Sequence, residues 1–247
     1  MLHDVRDIKK DFFPERYKFP YFYTNKEFNE LLENFQPISF DQQEVNKYIY
    51  TFDDGLIDHF NIAKLLFQKS IKSIFFIPSA PVISRDIICS HKIQFVLASS
   101  SEEKILSKLL KTISKEFDIE EDYLEQFKIS KWKNNIWSNE MVFITRILRE
   151  FKTSSERKFL LDYLFSQFVS SDQKDFANNF YLSLQQVKEI SEMGHLIGGH
   201  GNKSIDLLYC TIPEIEDEIL VSNQFISYFN SDLKFTHMLT AALMIMP

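Results

Sequence analysis

The chain has 247 residues, 45% of them hydrophobic and 26% charged, with a formal net charge of -7. This is the composition of one large folded domain, or of one domain carrying an insertion, and not of a fibrous or disordered chain. No basic cluster interrupts the acidic balance, which argues against nucleic acid as a partner, because phosphate binding needs a concentrated positive surface.

Cys89 and Cys210 form no CxxC pattern, so reduced thiols are expected rather than a disulfide framework or a cysteine metal site. The first residues, MLHDVRDIKKDFF, lack a basic start followed by an apolar stretch, and no apolar run is long enough to span a bilayer. A cytoplasmic protein without a membrane span is expected.

In chain order, FYTNKEFNELLENF has the look of a helix. Lys47 to Phe52 is β-branched and aromatic and reads as a strand. From His59 to Gln68, Phe60, Ala63, Leu65, Leu66 and Phe67 give a helical pattern with a broad apolar face. Ile71 to Ile77, closed by Pro78, is a second strand. Strand, helix, strand makes a βαβ unit with a parallel sheet, and puts TFDDG at a strand's C-terminal end, where α/β folds place chemistry.

Residues 101–180 are charged and helical in period, with Ile105, Leu106, Leu109, Leu110 and Ile113 on one face. We read them as a helical insertion or lid within a single domain spanning 1–247. Ser183 with Gln186 forms a capping box for a helix that stops at Gly194. His195 to Gly199 is then a short strand, and Thr211, Pro213 and Glu214 open a last helix, with Ile215, Ile219, Ile226 and Phe229 facing one way. All five glycines fall in two stretches, TFDDG and MGHLIGGHG. Glycine marks tight backbone, so two geometrically demanding loops are expected.

Those two loops also carry the reactive side chains. Asp53 and Asp54 are adjacent carboxylates at a strand end, where one can hold a metal while the other takes a proton from water. The same residues also make an ordinary Asp-Asp-Gly turn. His200 alone reads most simply as a buried hydrogen-bonded imidazole. Two such loops, each at a strand end and each bearing ligand-type groups, fit one shared pocket better than two coincidences.

TFDDG matches the first motif of the polysaccharide deacetylases (NodB-homology, carbohydrate esterase family four). YLSLQQVKEISEMGHLIGGHG resembles the helix, strand and loop that lead into their second motif. The opening MLHDV, the helix-like segment after it and PISFDQ resemble the start of a common subgroup. The resemblance runs from roughly Lys47 to Phe229, apart from the helical insertion, and implies a distorted (β/α) barrel. It implies hydrolysis of N-acetyl groups on the amino sugars of a surface or cell-wall glycan, with Asp53 as general base and Asp54 and His200 as ligands of a divalent metal, usually zinc. By the same resemblance His195 is structural, while His3, His59, His91 and His237 match no catalytic position and are read as packed or solvated.

The chain departs from the family in two places. The second motif normally has another histidine four positions after the first, and here that position is Ser204, a degenerate metal position that makes weak binding the expectation. The tail, SDLKFTHMLTAALMIMP, stands where the family has a Tyr-Pro-Tyr-Gly-like motif and a later histidine, which leaves the oxyanion donor and general acid unassigned and the barrel incomplete at its C-terminus. An inactive truncated relative is therefore the alternative, either a carbohydrate-binding remnant or a frameshifted gene product. Back-translating Thr236 to Met246 with permitted codons and reading one base out of frame gives SYAYGGFNDN, close to the motif that is missing.

Overall fold

The computed structural model describes residues 1–6, 23–35, 37–39, 48–120, 122–128 and 138–229. His237 and the tail on which the frameshift reading rests lie outside the described residues, as do Lys47 and the second half of PISFDQ.

Local signals set the first elements. Thr24 and Glu27 form a capping box that starts helix α1 (Asn25–Asn34), whose Phe28 and Leu32, one turn apart, are its buried side chains. Strand β1 (Thr51–Asp53) leads into helix α2 (His59–Gln68), which buries His59, Ile62, Ala63 and Leu66. Strand β2 (Ile74–Ile77) follows and pairs with β1 in parallel, Phe52 opposite Phe75 and Asp53 opposite Phe76. The expected βαβ unit is present, with strands shorter than the apolar runs that announced them.

Helices begin directly after β2: α3 (Ser79–Ile83), α4 (Cys89–Ser99), α5 (Glu102–Glu116), α6 (Glu125–Lys128), α7 (Asn139–Glu150), α8 (Ser154–Phe168) and α9 (Gln173–Phe180). Helices α4, α5, α7 and α8 pack on one another. They share a core that includes Phe95, Val96, Ile105, Leu109, Ile147 and Leu164. Helix α10 (Leu184–Glu192) starts at the Ser183–Gln186 capping box and ends at Gly194, which has φ +86°. Strand β3 (Leu196–Gly199) and helix α11 (Ile212–Ser227) complete the described chain.

The protein is thus mixed α/β, mostly helical, with a parallel sheet in the order β1-β2-β3. The sheet is open, and the barrel that the resemblance implies, incomplete at its C-terminus, is not shown among the described residues. Closure needs the first and last strands to pair around a ring. Here the outer side of β1 is taken by Leu2, whose backbone exchanges hydrogen bonds with Thr51 and Asp53, and β3 pairs with β2. Helix α11 packs against β3, and a Cβ at Gly199 would stand 2.3 Å from Ile226 Cδ1, so the strand is glycine where that helix crosses it. No helix among the described residues is long and apolar enough to cross a membrane.

The sheet has its own core of Phe28, Phe52, Leu66, Phe75, Val187 and Ile197. The helical core reaches it through the loop after β1. Ile57 N–H donates to Phe180 O, and Leu182 N–H donates to Gly55 O, both at 2.9 Å. This tie fixes the end of the helical segment beside the Asp53–Asp54 loop.

Candidate active site

In a parallel sheet the strands share one C-terminal end, and the loops after β1 and β3 both lie there. Asp54 has φ +75°, so the backbone turns sharply at the second carboxylate. His200 Nε2 stands 3.5 Å from Asp53 Oδ2 and 3.8 Å from Asp54 Oδ1. Asp53, Asp54 and His200 are all buried. The structure therefore brings these sequence-predicted residues together. Ser204 is beside them but behind the ring, its Oγ 3.3 Å from His200 Nδ1.

Two further histidines, which the motifs left without a role, converge on the same carboxylate. His3 Nδ1 is 3.1 Å from Asp54 Oδ2, and His91 Nε2 is 3.2 Å from the same oxygen. Leu2 pairing on β1 delivers His3, and the first turn of α4 delivers His91. His91 Nδ1 and the Tyr181 hydroxyl are hydrogen-bonded at 2.7 Å, and the hydroxyl oxygen accepts the Ile88 N–H at 3.1 Å. Since 51 residues separate His3 from Asp54, no local spacing could have announced the contact.

The electrostatics follow from one buried anion among imidazoles. Burial works against ionising Asp54, but hydrogen bonds from His3 and His91 and the charges of His91 and His200 hold its carboxyl well below the usual range. Burial disfavours the His200 imidazolium too, yet the Asp53 hydrogen bond and the two carboxylate charges outweigh it and push the pKa up to about 9. His3 is raised in the same way against its own burial.

The two remaining histidines among the described residues are structural. His195 accepts the Ser73 N–H on Nδ1 and donates Nε2–H to Ala63 O, joining the start of β2 to α2, and burial lowers its pKa. His59 donates Nε2–H to His3 O at 2.7 Å, packs on Phe52 and Phe75, and is lowered by burial to about 4. Between pH 6.5 and 4 the unfolded chain therefore binds the His59 proton that the folded chain refuses, and stability falls as pH drops through that window. The expected loss from His59 is about 3 kcal/mol, since each tenfold difference in proton affinity between the two states contributes roughly 1.4 kcal/mol. Urea unfolding at pH 7 and pH 4 checks it: wild type should lose that much more than His59→Gln, which keeps a donor but does not titrate. Equal losses in the two proteins would rule it out.

In kind, these donors suit a divalent cation, since carboxylate and imidazole are the common ligands of zinc. Asp53 Oδ1 is buried without a hydrogen-bond partner, an atom that a water or cation beside it would satisfy. In spacing the match is pairwise. Among the described residues no group of three or more His, Cys, Asp or Glu side chains is arranged to hold a metal ion.

Beyond Ser204 a cavity of about 490 Å³ opens between α4, α7, α8 and residues 203–210, with Lys92, Arg157, Lys203 and Tyr209 in its wall. Cys89 and Cys210 also line it, and both are free thiols. No family model, curated protein or solved structure matches the chain.

Proposed function

We propose that the chain is a metal-dependent hydrolase of the polysaccharide deacetylase type, removing N-acetyl groups from the amino sugars of a surface or cell-wall glycan. The observation that carries this reading is the meeting of Asp53, Asp54 and His200 at the shared end of β1 and β3. Asp53 keeps one oxygen toward His200 and offers the other, Oδ1, as a buried acceptor for a proton taken from water. Asp54 and His200 would hold the cation, zinc by the resemblance, whose chemistry is to polarise an acyl carbonyl and acidify water. Ser204 holds the far nitrogen of His200, which orients the ring. The neighbouring cavity lies in the size range of small-molecule sites, and its wall joins apolar side chains such as Ile88, Ile93 and Leu161 to Lys92 and Arg157.

Acetate release from N-acetylated chito-oligosaccharides, with zinc added and with a chelator, tests the reading. Slow, zinc-dependent release is expected, because no oxyanion donor is assigned and one missing donor costs about 10²–10³-fold in rate. Absence of any zinc-dependent release at saturating zinc would overturn it. The second reading, a carbohydrate-binding relative without turnover, is favoured by Ser204 standing as a hydrogen-bond partner of His200 where the family has a ligand. It predicts oligosaccharide binding by calorimetry with no acetate formed.

A further inference from the structure

We propose that the cavity beyond Ser204 is a binding site for a small zwitterion with an apolar body, of the class of a dipeptide of aliphatic residues. The proposal is independent of the hydrolase reading and uses neither Asp53, Asp54 nor His200. At about 490 Å³ the cavity is the size of a small-molecule site, and Ile93 of α4, Leu148 of α7 and Leu161 of α8 give it apolar walls. Thr145 of α7 is buried in the same wall, and its hydroxyl makes no hydrogen bond. A helical threonine usually donates to the carbonyl one turn before it, and interior hydroxyls are nearly always paired. The carbonyl of a peptide bond is an acceptor that a ligand would bring.

The charges in the wall are divided between its sides. Toward α4 and α8, Lys92 and Lys158 share one carboxylate, Asp162. Beside them the Arg157 guanidinium donates to Phe151 O, Lys152 O, Ser154 Oγ and Tyr209 O, none of them charged. The Cys89 thiol, at the first position of α4, lies in the field of this group. With Asp86, which Lys158 also feels, three cations face two acids on that side. Toward α11 and residues 203–210 the balance is reversed, with Asp206, Glu214, Asp217 and Glu218 against Arg149 and Lys203. Arg149 is held by Asp206, and the Glu218 carboxylate by the backbone of the loop after His200. Asp217 accepts the Asn202 side-chain amide and pairs with no cation among the described residues, which leaves it open to an ammonium group. An anionic group therefore suits one side and a cationic group the other, with aliphatic surface available to the body of the ligand.

Titration calorimetry of the full chain with leucyl-leucine and two capped forms, at low salt, is the test. Saturable binding of the free dipeptide is expected. N-acetyl-leucyl-leucine, without the ammonium, and leucyl-leucine amide, without the carboxylate, should each bind at least about 10-fold more weakly. Lys158 and Asp217 are exposed, so replacing them spares the core. Lys158→Gln should weaken the free and acetylated forms by about 2–5-fold and leave the amide unchanged, while Asp217→Asn should weaken the free and amide forms as much and leave the acetylated one unchanged. Saturating dipeptide should also slow alkylation of Cys89, which lines the cavity. Absence of saturable leucyl-leucine binding in the millimolar range would overturn the proposal, as would a capped form that binds as tightly as the free one. Affinity unchanged in both variants, or Cys89 alkylated at the same rate with and without dipeptide, would put the peptide elsewhere and overturn it too. Asp53→Asn should bind the dipeptide as wild type does, so the two sites fail or stand separately.

Discussion

Asp53→Asn should reduce zinc-dependent acetate release by about 10²–10⁴-fold, the usual contribution of a positioned acid or base. The substitution is isosteric and changes one buried oxygen into an amide nitrogen. Asp53 does not need to bind the cation in this reading, because Asp54 is the carboxylate surrounded by imidazoles on both oxygens. Zinc affinity should therefore survive while turnover does not, and that split is what separates a base from a ligand. The backbone is also insulated from the change, since Asp53 N–H donates to Leu2 O at 2.9 Å and the strand pairing does not involve the side chain. Measuring both quantities on one preparation is decisive: a fall in zinc affinity as large as the fall in rate would make Asp53 a ligand, and an unchanged rate would remove it from the chemistry.

What could be read in the sequence was what is local. The capping boxes at Ser183 and Thr211, the glycine stop at Gly194 and the βαβ pattern around TFDDG each depend on residues within a few positions of one another, and each is present. The convergence of the two loops was also legible, because strand ends in a parallel sheet share a side. The extent of the sheet was not: the barrel expected, incomplete at its C-terminus, is not shown among the described residues, and the stretch between β2 and β3 goes into helices with a core of their own. His3 and His91 were missed for the same reason. Nothing beside them distinguishes them from packed histidines, and only the edge pairing of Leu2 and the docking of α4 bring them to Asp54. In the last helix the apolar pattern Ile215, Ile219, Ile226, Phe229 pointed to a plain hydrophobic face. The face that is actually buried carries Glu218 and Ser222 beside Phe225 and Ile226. A buried carboxylate on an amphipathic helix leaves no trace in a hydrophobic period.

Glu218→Ala is expected to destabilise the protein by about 3–4 kcal/mol and to loosen the loop that carries His200. Glu218 is 2% exposed and collects three backbone donors: Asn202 N–H at 3.0 Å, Lys203 N–H at 2.8 Å and Ser204 N–H at 3.1 Å. These residues follow His200 directly, and a Cβ at Gly201 would lie 2.6 Å from Glu218 Oε2, so the loop wraps closely around the carboxylate. Burial raises the Glu218 pKa despite those hydrogen bonds. The charge itself is therefore not the source of stability, and what Ala removes is the acceptor for donors that water cannot fully reach. Asn202 is buried and should bear the full cost of an unmade bond, about 1–3 kcal/mol, while the more accessible Lys203 and Ser204 add less. Glu218→Gln keeps an oxygen that can stand at the Oε2 position, where all three donors converge, and should cost only about 1 kcal/mol. Because the raised pKa favours the protonated acid in the folded state, mild acid should not weaken this contact in wild type. Urea unfolding of the three proteins, with amide exchange followed at Asn202 to Ser204, reads the result: exchange should accelerate in the alanine variant before global unfolding. An alanine variant as stable as the glutamine one would show that the acceptor does not hold the loop.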